Sequence, residues 1–210
     1  MLSTLLDTLD HALSWFVGRA PLVTAIAAVI GATIAILGYR KWHPESVGKR
    51  KIELAEDILA DFYRAEEVIR WARFPGGLAG EGGTRQAPER ETPHDKELRD
   101  AIYRTIERLQ NEKELFSGLL AKKYRAMAYF GQGATKPFTD LKEIHDRIFR
   151  GAILLVRPRD ELPPQALRDE WETAIGWRSM SDNDDIAKEV RDVVENVEAF
   201  YGRWLMRKSS

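Results

Sequence analysis

The chain has 210 residues, with 32 Lys and Arg against 33 Asp and Glu, and no cysteine. A net charge of -1 excludes the general attraction for nucleic acid that a surplus of Lys and Arg supplies, so we expect no nucleic-acid partner. The absence of cysteine excludes disulfides, thiolate nucleophiles and cysteine-ligated metal centres. Composition therefore leaves a chain whose organisation can be predicted more readily than its biochemical function.

Residues 1–19 form the first predicted element. Leucines recur there at helical spacing, and Phe16 continues the same apolar stripe, while Asp7, Asp10 and His11 fall on other faces. This pattern predicts an amphipathic helix that lies in the outer membrane interface or continues into the next segment. Its polar face is acidic, whereas helices that lie on lipid are usually basic, so lipid and a protein partner both stay open.

Residues 20–39 contain no charged side chain. At about 1.5 Å per residue, a helix of this length spans roughly 30 Å, the thickness of the hydrocarbon core of a bilayer. We therefore predict a transmembrane helix. One alternative is a buried core helix, although such runs are usually shorter. The other is a cleaved signal peptide, which is disfavoured because Asp7 and Asp10 precede the run and Arg19 is the only cation before it.

The flanks of this segment predict its orientation. Aromatic rings on both sides suit the headgroup level, Pro21 suits a first helical turn, and cations are concentrated after the span in a basic juxtamembrane linker, residues 40–51. The positive-inside rule then places the N-terminus outside and the C-terminal domain in the cytoplasm, in an inner (cytoplasmic) membrane. The predicted membrane-anchor residues are Trp15, Pro21, Tyr39, Arg40, Lys41 and Trp42.

Small residues recur inside the predicted span at Ala27, Gly31, Ala35 and Gly38. Small residues four apart allow two transmembrane helices to approach closely, which predicts helix pairing and a homo-oligomer or a protein partner. The alternative is that Ala and Gly are simply common in membrane helices.

Residues 52–206 are predicted to be an all-α domain, an antiparallel helical bundle. No stretch alternates in the manner of a strand. A short amphipathic helix follows Pro163 and Pro164, and Ser181 is the predicted N-cap of the last helix. The longer apolar stripes predict helices over residues 48–74, 95–130, 137–155 and 182–208.

A loop at residues 75–94 is longer than a helix hairpin needs, and five glycines lie between Gly76 and Gly83. No Gly-Lys-Ser/Thr follows, so a nucleotide-binding P-loop is rejected. Thr84 and Arg85 are the candidate site residues for an ordered anion, and a flexible loop is the alternative interpretation.

Catalytic patterns are sparse. The Glu-x-x-His spacing of a di-iron site occurs at Glu91 and His94, where Pro93 interrupts it. His145 lies within a predicted helix, and a lone helical histidine is more often a surface or hydrogen-bonded residue than a base. We assign no catalytic residue, metal ligand or cofactor, and consider enzymatic activity less favoured than binding.

Four segments carry a resemblance to a known family: IELAEDILADFYRAEEVIRWAR, GEGGTR, YRTIERLQNEKELFSGLLAKKYRAMAYFG and KPFTDLKEIHDRIF. They resemble uncharacterised proteobacterial proteins with one N-terminal membrane helix and a helical cytoplasmic domain. The similarity covers roughly residues 50 to 155. It implies no activity and no site residue, but it implies that the Gly-Glu-Gly-Gly-Thr-Arg loop belongs to the common design of that family.

These observations favour a membrane-anchored helical module that recruits or organises a partner at the cytoplasmic face. Its partners would be membrane lipid, through the N-terminal helix, and a protein or a second copy of the chain. An accessory subunit of a larger membrane complex is one alternative. A membrane-associated enzyme with its site near the 75–94 loop is the other.

Overall fold

The computed structural model describes residues 2–89, 91–158, 162, 164–178 and 184–206, with the side chains of 2–23 and 40–45 left out. Every regular element in these ranges is a helix, which confirms the all-α class. The helices are α1 (Leu2–Ala72), α2 (Pro93–Asn111), α3 (Lys113–Phe130), a 3₁₀ helix (Gln132–Thr135), α4 (Lys136–Leu155), α5 (Gln165–Ala174) and α6 (Asp185–Met206).

The chain divides into a first unit, Met1–Arg50, and a second unit, Lys51–Ser210. Residues 2–19 of the first predicted segment and the predicted segments 20–39 and 40–51 all lie within helix α1. The second unit begins one residue before the predicted start of the helical domain at residue 52.

In the first unit, the described side chains are those of residues 24–39, all of which are exposed, and those of residues 46–50, of which 46–48 are partly buried. No helix in the described part of the chain is both long and apolar enough to cross a membrane. The transmembrane helix predicted over residues 20–39 is therefore not confirmed. The side chains of residues 20–23 lie outside the described ones.

The core of the second unit is built where α1 meets α3, α4 and α6. Phe62 of α1 is fully buried, and its ring meets the edge of Phe138 of α4 at a centroid distance of 5.1 Å. Helix α4 packs against α2, α3, α5 and α6. A smaller apolar cluster joins α2, the end of α4 and Ile175, which follows α5. The second unit thus has a core of its own, with α4 packed against four helices.

The helix predicted over residues 95–130, which at about 50 Å was expected either to bend or to overhang its neighbours, is divided in the structure at Glu112. This residue adopts φ −104° and ψ 18° and separates α2 from α3. Leu109 and Leu115 are buried on either side of the break, so the apolar stripe runs on without interruption. The Glu112 carboxylate instead accepts a hydrogen bond of 2.7 Å from Arg64 on α1.

Two helix starts differ from prediction. The loop predicted to end at residue 94 ends at Thr92, whose hydroxyl oxygen accepts a hydrogen bond from the Asp95 N–H, and Pro93 opens α2. Helix α6 begins at Asp185, and the Asp184 carboxylate accepts from the Ala187 N–H at 3.1 Å. Asp184 therefore caps α6, and the predicted cap, Ser181, lies outside the described residues.

Candidate functional site

An apolar cavity of about 170 Å³ lies between α3 and α4 in the second unit. Both helices present their apolar stripes to the core here, and the space between them is not filled. Polar side chains lie at its margin. The lining residues are Phe116, Ser117, Leu119, Leu120, Phe138, Leu141, Lys142, His145 and Asp146. The cavity can accept an apolar group of the size of one aromatic ring.

His145, which was singled out from the sequence, lines this cavity. Its ring lies 4.3 Å from that of Phe116 and 6.0 Å from that of Phe149, measured between centroids. Burial lowers the pKa of His145 and outweighs Asp146, whose Oδ1 lies 3.4 Å from Nδ1 and acts to raise it. The imidazole is therefore neutral near pH 7 and provides one hydrogen-bond donor and one acceptor beside apolar walls.

The Gly-rich loop is held against α2 by Glu107, and this differs from the flexible loop that we considered. Oε2 of Glu107 accepts a hydrogen bond of 2.5 Å from the Gly82 N–H, and Oε1 accepts one from the Thr84 hydroxyl. Thr84, a predicted site residue, therefore has a structural partner. The sequence places Glu107 on a predicted helix. Helical periodicity does not indicate which loop residue such a side chain will contact, so the bond to Thr84 could not be predicted.

Arg85, the other predicted loop residue, is buried between carboxylates. Its Nε donates to Asp100 at 2.8 Å and its Nη2 donates to Glu91 at 2.5 Å, and Glu91 also accepts from Arg99. Burial alone would raise the pKa values of Glu91 and Asp100. Hydrogen bonds from Arg85 and Arg99 lower the pKa of Glu91, and hydrogen bonds from Lys96 and Arg85 lower that of Asp100. Because the guanidinium is already neutralised, this geometry does not favour an anion at Arg85.

Two buried arginines were missed by the sequence reasoning. Arg108 donates to the carbonyl oxygens of Trp71, Phe74 and Gly76, each at 2.8 Å, and also binds the carboxylate of Glu81. Its guanidinium carbon lies 4.1 Å from the centre of the Trp71 ring. Arg108 thereby links the last turn of α1, through the Trp71 carbonyl, to the loop that follows the helix. Helical periodicity marks such an arginine as solvent-facing.

Arg73 has an equivalent role on the other side of the end of α1. Its Nε donates to the Ala174 carbonyl at 2.8 Å and its Nη2 donates to the Thr173 carbonyl at 3.1 Å, so it binds the last turn of α5. Both terminal nitrogens also bind Asp184. Arg73 is therefore a buried structural residue, and the sequence pattern did not predict its partners.

Arg85 and His145, on which the enzyme alternative would depend, do not meet in one place. Arg85 is held by Glu91 and Asp100 beside the loop, whereas His145 lines the cavity between α3 and α4. Within the described residues, no group of three or more His, Asp or Glu side chains is placed to hold a metal ion. The Glu91 carboxylate of the Glu-x-x-His spacing is bound by Arg85 and Arg99.

The predicted pairing residues Ala27, Gly31, Ala35 and Gly38 are exposed in the first unit. A Cβ added at Gly31 or Gly38 would meet no other atom within 4 Å. Among the predicted membrane-anchor residues, Tyr39 is exposed, while the side chains of Trp15, Pro21, Arg40, Lys41 and Trp42 lie outside the described ones.

No family model, no curated protein and no solved structure matches the chain. The resemblance to a family of single-span proteobacterial proteins therefore stays a prediction.

Proposed function

We propose that the chain is a membrane-anchored helical binding module. Residues 20–39 are its transmembrane anchor, and the second unit is an antiparallel helical bundle that recruits a partner at the cytoplasmic face of the inner membrane. The observation that carries this proposal is the surface of residues 24–39. These residues carry no charge, and large apolar side chains such as Val29 and Ile34 are more than half exposed. A continuous apolar surface of this kind needs lipid or another helix to cover it.

The charges on either side support the orientation. Arg19 precedes the apolar run, whereas Arg40, Lys41, Lys49 and the cations beside it follow closely. Cations retained near the end of a span keep that end in the cytoplasm. The second unit accordingly faces the cytoplasm.

The cavity beside His145 is the proposed binding site of the module. Its walls are apolar, and the neutral imidazole offers a single polar contact at its edge. A partner would insert one apolar or aromatic side chain between α3 and α4, as helical partners commonly do with a few anchoring residues.

A role as an accessory subunit of a larger membrane complex is the second candidate. It is favoured by the exposed small-residue face at Ala27, Gly31 and Ala35, which would pair with another span. The enzyme alternative has less support, because Arg85 is neutralised by carboxylates and lies apart from His145.

Membrane fractionation tests the anchor. The full chain should remain in the membrane pellet after an alkaline carbonate wash, and a variant with Val29→Asp and Ile34→Asp should be released. The matched control adds the same two negative charges at exposed positions outside the apolar run, with Leu78→Asp and Tyr124→Asp, and should stay in the pellet. Release of the unaltered chain would overturn the anchor. A cytoplasm-dependent reporter fused after Ser210 tests orientation, and an inactive reporter on inserted protein would reverse it.

A further inference from the structure

One end of the second unit concentrates aromatic rings and cations. The end of α3 and the last turns of α6 meet there, because the Phe130 ring lies 5.2 Å from that of Tyr201 and 5.4 Å from that of Trp204. The Tyr201 hydroxyl donates to the Ala134 carbonyl at 2.8 Å, which fixes the 3₁₀ helix to α6. Lys51, where the chain enters this unit, places its Nζ 5.0 Å from the centre of the Trp204 ring.

Charge is segregated in two of the segments that meet at this end, whereas the segment that begins at Lys51 also carries Glu53 and Glu56. Residues 115–139 contain four Lys or Arg and no Asp or Glu, and residues 199–210 contain three more with no acidic residue. The overall net charge of -1 conceals this distribution. Two of the latter cations, Arg207 and Lys208, lie outside the described residues and enter only as sequence.

The cations at this end contact rings and solvent. The guanidinium carbon of Arg203 lies 4.3 Å from the centre of the Phe200 ring. Within the described part of the chain, Lys51, Arg125 and Arg203 form no ion pair with a carboxylate, whereas Lys122 binds Asp61 and Lys136 binds Asp140. The exposed guanidinium groups of Arg125 and Arg203 are thus available to an external anion.

An exposed apolar side chain stands beside these cations. Met206, in the last turn of α6, is 74% exposed. Interaction with the helix macrodipole would by itself explain a cation such as Arg203 near the C-terminus of α6. It does not explain an exposed methionine. Cations interleaved with aromatic rings and one protruding apolar group are the combination that binds the interface of a membrane with anionic lipid.

We infer that this basic–aromatic end, formed by Lys51, Phe130, Phe200, Arg203, Trp204 and Met206, binds the surface of an anionic lipid bilayer. The inference rests on the proposed membrane anchor, since the apolar run ends at Tyr39, twelve residues before Lys51. It adds a second, electrostatic contact between the chain and its membrane. Such a contact weakens with rising salt and with loss of anionic lipid.

The absence of cysteine allows a direct test. Met206→Cys gives the full chain a unique thiol for an environment-sensitive fluorophore, and Leu78→Cys provides a matched control in the loop. Residues 51 to 72 of α1 span about 30 Å, from the basic–aromatic end at Lys51 to the end of α1 that precedes Leu78. In nanodiscs with phosphatidylglycerol, the label at 206 should shift to shorter wavelength, and it should not shift in pure phosphatidylcholine. The label at 78 should not shift in either lipid.

Charge variants make the test specific. Lys51→Gln with Arg203→Gln should return the emission at 206 to its value in neutral lipid, and so should 0.5 M salt. Lys113→Gln with Arg70→Gln removes the same charge from exposed positions elsewhere and should leave the shift unchanged. An equal shift in both lipids, no shift at all, or no effect of the Lys51 and Arg203 variant would overturn the inference.

Failure of the anchor is distinguishable from failure of this surface. If the full chain does not incorporate into nanodiscs, the anchor proposal fails, and cosedimentation with preformed vesicles then tests the surface alone. Binding to phosphatidylglycerol vesicles that weakens about thirtyfold in the Lys51 and Arg203 variant would support it, at roughly fivefold for each cation. Equal binding to neutral vesicles, or preferential binding to duplex RNA or DNA added as a competitor, would overturn it.

Discussion

Arg73 and Asp184 join the end of α1 to the start of α6 through two parallel hydrogen bonds of 2.8 Å each. The Arg73 side chain is almost fully buried, and Asp184 is partly exposed. The pKa of Asp184 is lowered, because the hydrogen bonds from Arg73 and from the backbone at the start of α6 outweigh the effect of burial. One ion pair thus fixes two helix termini whose residues are far apart in the sequence.

Replacing Arg73 by methionine should lower the free energy of unfolding by about 3 kcal/mol, because it leaves the Asp184 carboxylate and two carbonyls of α5 without their donor. Arg70→Met on the same helix is the control and should cost less than about 0.5 kcal/mol, since Arg70 is exposed. Chemical denaturation followed by tryptophan fluorescence gives both values. Equal losses in the two variants would mean that the Arg73 contacts contribute little.

Gly82 and Gly80 give a matched pair for the Gly-rich loop. Both have positive φ, but a Cβ at Gly82 would lie 2.0 Å from the Asp100 carbonyl oxygen, whereas at Gly80 it would meet nothing within 4 Å. Gly80→Ala should cost about 1 kcal/mol of stability from backbone strain alone. Gly82→Ala should cost about 3 kcal/mol, because the loop must also move away from α2. Thermal denaturation measures the difference, and similar values would show that the loop does not pack there.

Acid should weaken the attachment of the loop. The pKa values of Glu91 and Asp100 are lowered in the folded chain, so their contribution is present above the ordinary carboxyl pKa and is lost as pH falls through the lowered folded values. Stability should therefore decrease steeply below about pH 4. The Glu91→Gln variant should be less stable than the unaltered chain at pH 7, and its stability should fall less on acidification. Denaturation at pH 7, 4 and 3 tests this, and parallel curves for the two proteins would contradict it.

His145 should add a second, milder pH dependence. Its pKa is lowered by burial, so the unfolded chain binds its proton more readily and stability falls as pH drops below about 6.5. His145→Gln should flatten the stability curve between pH 7 and pH 5. His94→Gln, the same substitution at an exposed position, is the control for the effect of the mutation itself. An unchanged slope in the His145 variant would show that the imidazole is not buried.

The cavity between α3 and α4 should take up a small aromatic molecule. Indole at millimolar concentration should raise the melting temperature of the full chain, because a ligand that binds the folded state stabilises it. Leu120→Phe fills part of the cavity and should abolish the rise, whereas Leu98→Phe on α2 should keep it, since Leu98 does not line the cavity. A rise that persists in Leu120→Phe would place the indole elsewhere.

Apolar periodicity predicted where most helices lie, because each helix of the second unit buries one side in the core. The end of α1 also followed from Pro75 and the glycines after it, and the structure ends α1 at Ala72. The break at Glu112 could not be predicted, since neither proline nor glycine marks it and the apolar stripe continues across it. Its partner is Arg64, which lies 48 residues earlier.

The parts of the site that depend on long-range pairing were the least predictable. Arg73, Arg85 and Arg108 are charged residues, and helical patterns assign such residues to solvent, whereas all three are buried with partners from other elements. His145 was found from its residue type. The cavity beside it depends on how α3 and α4 pack, and the periodicity of one sequence does not predict that packing.

The contacts of Arg108 have a consequence for local opening. One guanidinium binds the Trp71 carbonyl in the last turn of α1, the Phe74 carbonyl that follows the helix and the Glu81 carboxylate of the loop, so neither the helix end nor the loop can detach without releasing the other. The amides of the last turn of α1 and those of residues 78–85 should then exchange with solvent deuterium in one event, at a common rate. Two segments that the sequence separates into helix and loop behave in this respect as one cooperative unit.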